Sequence, residues 1–400
     1  MSAGTAGRRS VPPGSGEAER SAGAELFREL ARAVAALAEV RGLRSFTLPY
    51  PSLAQRALDR TVTHCLDIGE TPPRSLPELW EWCRSRPAGD PLFEVPASLV
   101  TPDATLVHPV GLMPTRTCLE VASHGSAGGV AADARTLLGE LEARCGTAEW
   151  YRRSRNFLAR HPVVLQQDRF GTGWSKAVWS RVKELYRPLP ESLLVEDVFL
   201  RCPSCGLPAL PRGRTIPVPG PPVTGSGFWC EGEECPHGEP LGLIRDPDHA
   251  WVLRRSLRAF LALPHGVEEA VLNQLDRAGI GYEAVSGHLC AYRLPVAGSE
   301  TASVQVYDRL QPGLLAAHLT AGAPSADRTF VVVPSRLARR DGYRATFTAA
   351  LPTPFRERLV LTTPAELLHR LGEAPANRYD AGVAHHRDPG VLRGEKRDDA

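Results

Sequence analysis

Cys202-Pro203-Ser204-Cys205-Gly206, followed after a 24-residue connection by Cys230-Glu-Gly-Glu-Glu-Cys235-Pro236-His237, divides this 400-residue chain and decides how its two halves are read. A C-x2-C-G turn with a second close pair has the spacing of a structural zinc site. Zn2+ takes four ligands in a tetrahedron, with sulfur at about 2.3 Å, and only short turns of small residues bring two thiolates that near. Gly206 relieves the first turn. Cys202, Cys205, Cys230 and Cys235 are the expected ligands. The wider second gap puts His237 forward as a substitute for Cys235, and four reduced cysteines without metal are the alternative. Four protein ligands leave no open coordination position, so the ion is read as structural rather than hydrolytic. Structural zinc contributes on the order of 10–16 kcal/mol, so losing one ligand is expected to unfold the module.

Before the ribbon the apolar pattern is helical. Leu26, Leu30, Val34 and Leu37 recur at helical spacing from Glu25 to Val40, with Gly42 as a stop. Ser75-Leu-Pro-Glu78 has the form of a capping box opening a helix through Leu79, Trp80 and Cys83. Asp133 and Thr147 begin two more, the second ending at His161 because Pro162 cannot continue it. A fifth carries Val178, Val182 and Leu185. Trp179 and Tyr186 beside them are read as packing residues, with a ligand platform as the alternative. Residues 24–200 are thus expected to form a mostly helical domain and 201–240 the zinc ribbon.

After residue 246 the pattern changes. Helices are expected over Asp248–Leu261 and Val267–Ala278, then strands over Gly281–Val285, His288–Val296 and Ser303–Asp308. A helix started by Pro312 follows, then the strand Phe330-Val-Val-Val333, whose lack of alternation implies burial on both faces. Leu359–Leu361 and a helix capped by Thr363 complete an α/β unit over 246–372. The fold class is therefore a helical N-terminal domain, a zinc ribbon and a C-terminal α/β domain. The tails 1–23 and 373–400 lack periodic apolar positions and are expected to be disordered. His385-His386 in the second is read as solvated.

Composition narrows the function classes. A net charge of +2 excludes a global field that would attract nucleic acid, and 42% apolar content is ordinary for a globular protein. Only Lys176, Lys183 and Lys396 are lysines among 47 basic residues, a bias read as compositional. No run is apolar enough to span a bilayer, so no membrane role and a cytoplasmic location are expected. The other five cysteines, Cys65, Cys83, Cys118, Cys145 and Cys290, are read as buried small hydrophobes. No phosphate loop, hydrolase elbow or dinucleotide fingerprint is present; Gly171-Thr-Gly173 follows no strand.

Several segments resemble a bacterial family. They are Tyr151-Arg-Arg-Ser-Arg-Asn-Phe-Leu-Ala-Arg-His-Pro-Val-Val164, the run Leu185–Pro190 before the first cysteine pair, the ribbon itself, and Val304-Gln-Val-Tyr-Asp308 with Pro312. Over about residues 25–370 the chain is similar to the restriction-endonuclease-like (REase) proteins of pPIWI-RE three-gene islands, whose N-terminal region is called domain Z. The resemblance implies a defence system with a PIWI-like protein and a DNA helicase as partners, and DNA as the substrate. Independently, the order helix, three strands, helix, strand is that of the PD-(D/E)XK nuclease core. That agreement concerns fold and not activity.

Such nucleases hold Mg2+ with carboxylates on the second and third strands, while a third-strand lysine orients water. Here the third-strand Asp-x-Lys-Asp of the family falls on Gln305, Tyr307 and Asp308. An amide replaces the ligand and a phenol the cation, and Asp308 alone matches. The second strand, Cys290–Val296, has no carboxylate. Glu268 and Glu269 on the preceding helix are candidate remnants of an acidic ligand. The reading is a catalytically dead nuclease fold acting as a DNA-binding or scaffold subunit. Arg254, Arg255 and Arg258, or Arg336, Arg339 and Arg340, are candidate phosphate contacts. Two alternatives stand beside it: an active Mg2+-dependent endonuclease using Glu268, Glu300 and Asp308, and a zinc-ribbon adaptor unrelated to PIWI systems.

Overall fold

The computed structural model describes residues 21–39, 49–125, 129–170, 174–216, 228–235, 240–294, 302–321 and 328–372. The tails, except Ser21–Gly23, and with them His385-His386, lie outside the described residues, as do Gly171–Gly173, His237 and Glu300. Ala22–Leu37 (α1), Ser52–Ile68 (α2), Leu76–Ser85 (α3), Arg116–Ala122 (α4), Gly129–Cys145 (α5), Ala148–Arg160 (α6) and Lys176–Val182 (α7) form the helical region. Ser21, Ser75, Thr115, Thr147 and Ser175 cap five of these helices, each side-chain oxygen accepting from the N–H three residues on. The capping box at Ser75 is altered: the Glu78 carboxylate accepts from the Arg74 N–H at 2.7 Å. Trp179 and Tyr186 pack ring to ring, 5.3 Å apart, within the helical core.

Two helices carry no clear sequence signal. On α2 the buried side is Ala54, Ala57, Leu58, Thr61 and Cys65, while Leu53, Leu66 and Ile68 are exposed, so apolar residues do not mark the inner face. On α4 every residue is buried, including Arg116 and Glu120, so no amphipathic period exists.

The expected helix over Asp248–Leu261 is corrected. Trp251–Leu253 is a strand, followed by a short helical turn at Arg255–Leu257 and a π turn at Arg258–Ala262. In chain order the strands to this point are Val163–Val164 (β1), Tyr186–Pro188 (β2), Leu194–Val195 (β3), Val198–Arg201 (β4), Ala209–Pro211 (β5), Phe228–Cys230 (β6), Gly242–Ile244 (β7) and Trp251–Leu253 (β8). β8 lies between β1 and β2, antiparallel to both. Partner strands from the helical region satisfy its backbone, which overrides the local helical spacing. β3, β4 and β7 form a second sheet, and β5 pairs with β6.

The C-terminal region holds His265–Arg277 (α8), Glu283–Ala284 (β9), Ala291–Leu294 (β10), Ala302–Val306 (β11), Pro312–Leu319 (α9), Arg328–Val332 (β12), Tyr343–Ala350 (α10), Leu359–Thr362 (β13) and Pro364–Gly372 (α11). These strands make one mixed sheet in the order β13-β12-β11-β10-β9, antiparallel from β9 to β11 and parallel from β11 to β13. Phe330 and Val332 pack towards α8 and α11, Val331 and Val333 towards α10, which is the two-sided burial that the unbroken apolar run implies. Among the described residues no helix is long and apolar enough to cross a membrane.

α9 lies so close to the segment after α3 that a Cβ on Gly313 would stand 1.9 Å from the Ser98 carbonyl oxygen and 2.7 Å from Leu99 Cα. Backbone cannot yield as a flexible side chain can. Gly313→Ala is therefore expected to cost about 3 kcal/mol. Urea unfolding measures it, and a loss well below that would show that the two segments are not rigidly apposed.

Candidate functional site

The four cysteines of the ribbon converge. Cys202 follows β4; its N–H bonds to the Leu207 carbonyl (2.9 Å), and the Gly206 N–H returns to the Cys202 carbonyl (2.9 Å), with Gly206 at φ +70°. This is the turn that Gly206 was expected to relieve. Cys230 ends β6 in register with Ala209. The four Sγ atoms lie within 4.8 Å of one another. Tetrahedral Zn–S bonds near 2.3 Å set sulfur-to-sulfur edges of about 3.8 Å, so a single ion fits among them. A Cβ on Gly232 would stand 2.6 Å from the Cys235 sulfur and 3.2 Å from that of Cys205, so glycine alone lets the chain pass. Hydrogen bonds from the neighbouring sulfurs hold the Cys202 thiol far below its ordinary pKa, while hydrogen bonding to Cys202 pushes Cys205 up. Crowded, partly ionised sulfurs are a donor set for a soft cation. The cluster can hold a metal ion such as zinc.

Asp308 sits beside this cluster and is buried. Arg116, from α4, donates to its Oδ1 (2.7 Å) and to its carbonyl (2.5 Å), while Arg336 donates to Oδ2. The same Arg116 guanidinium reaches the Gly232 carbonyl at 3.1 Å, and the Arg116 N–H bonds to Glu233 Oε1 at 2.8 Å. Both carboxylate oxygens of the one acid that matches the nuclease pattern are thus engaged by arginines. Arg116 thereby ties α4 to the ribbon and to Asp308.

Glu268 is buried, with 1% of its side chain accessible. Arg155 of α6 donates to its Oε1 at 2.6 Å, Tyr292 of β10 donates to the same oxygen, and His265 Nδ1 lies 3.4 Å from Oε2. Burial alone would raise its pKa, but Arg155 and these hydrogen bonds hold it at about 2. Glu269 pairs instead with Arg160 at the surface. Gln305 and Tyr307 do share a face of β11, as their spacing implies, and the Tyr307 hydroxyl donates to Gln305 Oε1 at 2.8 Å. Among the described residues the four cysteines are the one group of three or more His, Cys, Asp or Glu side chains close enough to share an ion. Glu300, the third acid of the active-nuclease alternative, lies outside the described residues.

Of the first arginine group, Arg254 is half-buried. Arg255 and Arg258 are buried: Arg258 makes a two-pronged pair with Glu231 at 2.6 Å on each oxygen, and Arg255 lies 3.7 Å from Glu39. The turn that carries them faces the ribbon rather than solvent. Of the second group, Arg339 is exposed, Arg340 reaches Glu234 at 3.4 Å, and Arg336 is spent on Asp308. Arg116, Glu120, Arg155 and Tyr292 had no signal of their own. Arg155 lies inside the quoted run 151–164, but its partner is in another half of the chain.

A family model described as pPIWI_RE three-gene island domain Y matches residues 26–165, and one described as REase associating with pPIWI_RE matches residues 266–378. The two matches identify a pPIWI-RE island protein with an REase-associated C-terminal region. The N-terminal match is to domain Y, where the resemblance pointed to domain Z. Membership overturns the alternative of an adaptor unrelated to PIWI systems. No curated protein and no solved structure matches this pPIWI-RE-associated chain. The four cysteines fall between the two matched regions.

Purified protein is expected to carry one equivalent of zinc by plasma mass spectrometry, and Cys230→Ser to lose both the metal and the unfolding transition of the ribbon. Retention of metal by that variant would disprove the four-cysteine site. Because the folded pKa of Glu268 lies below its ordinary value of 4.5, its contribution is present above that value and lost as pH falls from 4.5 towards 2. Denaturant unfolding across that window should show a loss on the order of 3 kcal/mol that Glu268→Gln removes from the profile.

Proposed function

We propose that this chain is a non-cleaving, zinc-braced subunit of the pPIWI-RE system, working beside the PIWI-like protein and the DNA helicase of the island as a DNA-binding scaffold. One observation carries the reading: Asp308 gives one carboxylate oxygen to Arg116 and the other to Arg336. Mg2+ dehydrates reluctantly and takes carboxylates at near-octahedral geometry, so an aspartate already paired twice, next to an amide and a phenol, is no site for it.

The order of elements supports a decayed PD-(D/E)XK domain over 246–372. α8 precedes an antiparallel β9–β11 meander, and α9 leads to β12 parallel to β11. In that frame Gln305 and Tyr307 stand where a ligand and a lysine would act. The four cysteines brace the middle module, 201–240, through a structural zinc, and 24–200 is the helical domain. A cleft of ≈640 Å³ between the end of α6, the ribbon and the start of α8 is lined by Arg160 and Arg201, and a backbone phosphate of DNA would sit there. Cations gathered in a cleft attract phosphate even when the net charge is near zero. The active-nuclease alternative would have to strip arginines from both Glu268 and Asp308, and nothing in the geometry favours it.

The purified full chain, given Mg2+ or Mn2+ and single-stranded, duplex or R-loop DNA, is expected to bind without cutting. In the same gel-shift series, Arg160→Glu with Arg201→Glu should weaken binding. Cleavage that disappears in Asp308→Ala would reject the reading.

A further inference from the structure

Basic side chains gather over the face of the sheet that carries Gln305. A cavity of ≈410 Å³ opens over Gln305 and Tyr307, walled by Arg135, Arg309, Arg358 and His288. A neighbouring cavity of ≈390 Å³ shares Arg135, Arg309 and His318 with it. Arg309 is only 8% exposed. Its guanidinium lies 4.1 Å over the Phe260 ring, and among the described residues no hydrogen-bond or ion-pair partner meets it. The carboxylates nearby are already used. Asp308 holds Arg116 and Arg336, and Glu120 accepts from the Leu310 and Gln311 N–H groups at 2.7 and 2.9 Å. Glu120 attracts Arg309 through space without pairing with it, so the guanidinium keeps its donors for an anion that enters the cavity.

We propose that this cavity binds the phosphate of a nucleotide, with Arg309 supplying the positive charge that a divalent metal supplies in a nuclease. The planar guanidinium matches two phosphate oxygens at once. Gln305 adds a donor: its Oε1 accepts from Tyr307, which leaves its amide nitrogen for the ligand. Tyr307 and Phe355 provide ring surface for a base, and the volume lies within the range of small-molecule sites. The ligand class is a nucleoside phosphate, free or at the end of a strand, and no metal takes part. This inference rests on the non-cleaving reading above and deepens it.

The test uses the full chain in EDTA. Fluorescence anisotropy compares a short single-stranded DNA bearing a 5′-phosphate with one bearing a 5′-hydroxyl, and calorimetry measures AMP and inorganic phosphate directly. A preference of about tenfold or more for the phosphorylated strand assigns the site to a strand end, and AMP binding without that preference assigns it to a free nucleotide. Either effect should vanish in Arg309→Met and weaken in Arg135→Glu, an exposed position that keeps the test readable if the buried variant fails to fold. Equal affinity for both strands together with no AMP binding overturns the proposal, as does phosphate binding that survives both variants. Phosphate binding that appears only when Mg2+ is added overturns the proposal and the non-cleaving reading alike. Failure in EDTA without cleavage in Mg2+ overturns the proposal alone.

Discussion

A buried guanidinium has to find acceptors for its fixed fork of donors, and Arg116 finds them on two other parts of the molecule. It reaches Gly232 in the ribbon and both the carbonyl and the carboxylate of Asp308 at the end of β11. The attraction of Asp308, Glu120 and Glu233 outweighs the burial that would otherwise depress its pKa, so the arginine stays charged. Removing one partner would strand an uncompensated charge, which is far more costly than the pair itself is stabilising. The pair therefore specifies how the helical region, the ribbon and the mixed sheet meet.

The same logic repeats at Glu268. Arg155 comes from the helical region and Glu268 from α8, and the carboxylate also collects hydroxyl and imidazole contacts. Arg258 with Glu231 bolts the ribbon to the turn before α8. Arginine suits these places because a planar fork can satisfy two acceptors at once. Glu231, Glu268 and Asp308 serve as anchors between regions, and an anchored carboxylate is a poor metal ligand.

The opposite imbalance appears across β11. Gln305 and Tyr307 are neutral and satisfy each other, and Arg135, Arg309 and Arg358 line the cavity beside them. That lining is the physical ground for proposing an anion there rather than a divalent ion.

Much of this protein was legible in its sequence. The C-x2-C-G spacing marked the ribbon, the caps at Ser75 and Thr147 marked helix starts, Pro312 opened α9 at the expected residue, and the unbroken run at 330–333 marked the strand buried on both faces. These are short-range signals, in which geometry follows from neighbours along the chain. Helix α2 was hidden because its inner face is built mostly of small residues while Leu53, Leu66 and Ile68 face outward, and β8 was hidden because its partners come from elsewhere. Whether Asp308 and Glu268 were free or spent was decided only by tertiary structure, since their arginines lie 192 and 113 residues away. Spacing encodes turns and periods; charge pairing across such separations depends on which surfaces the folded chain brings together.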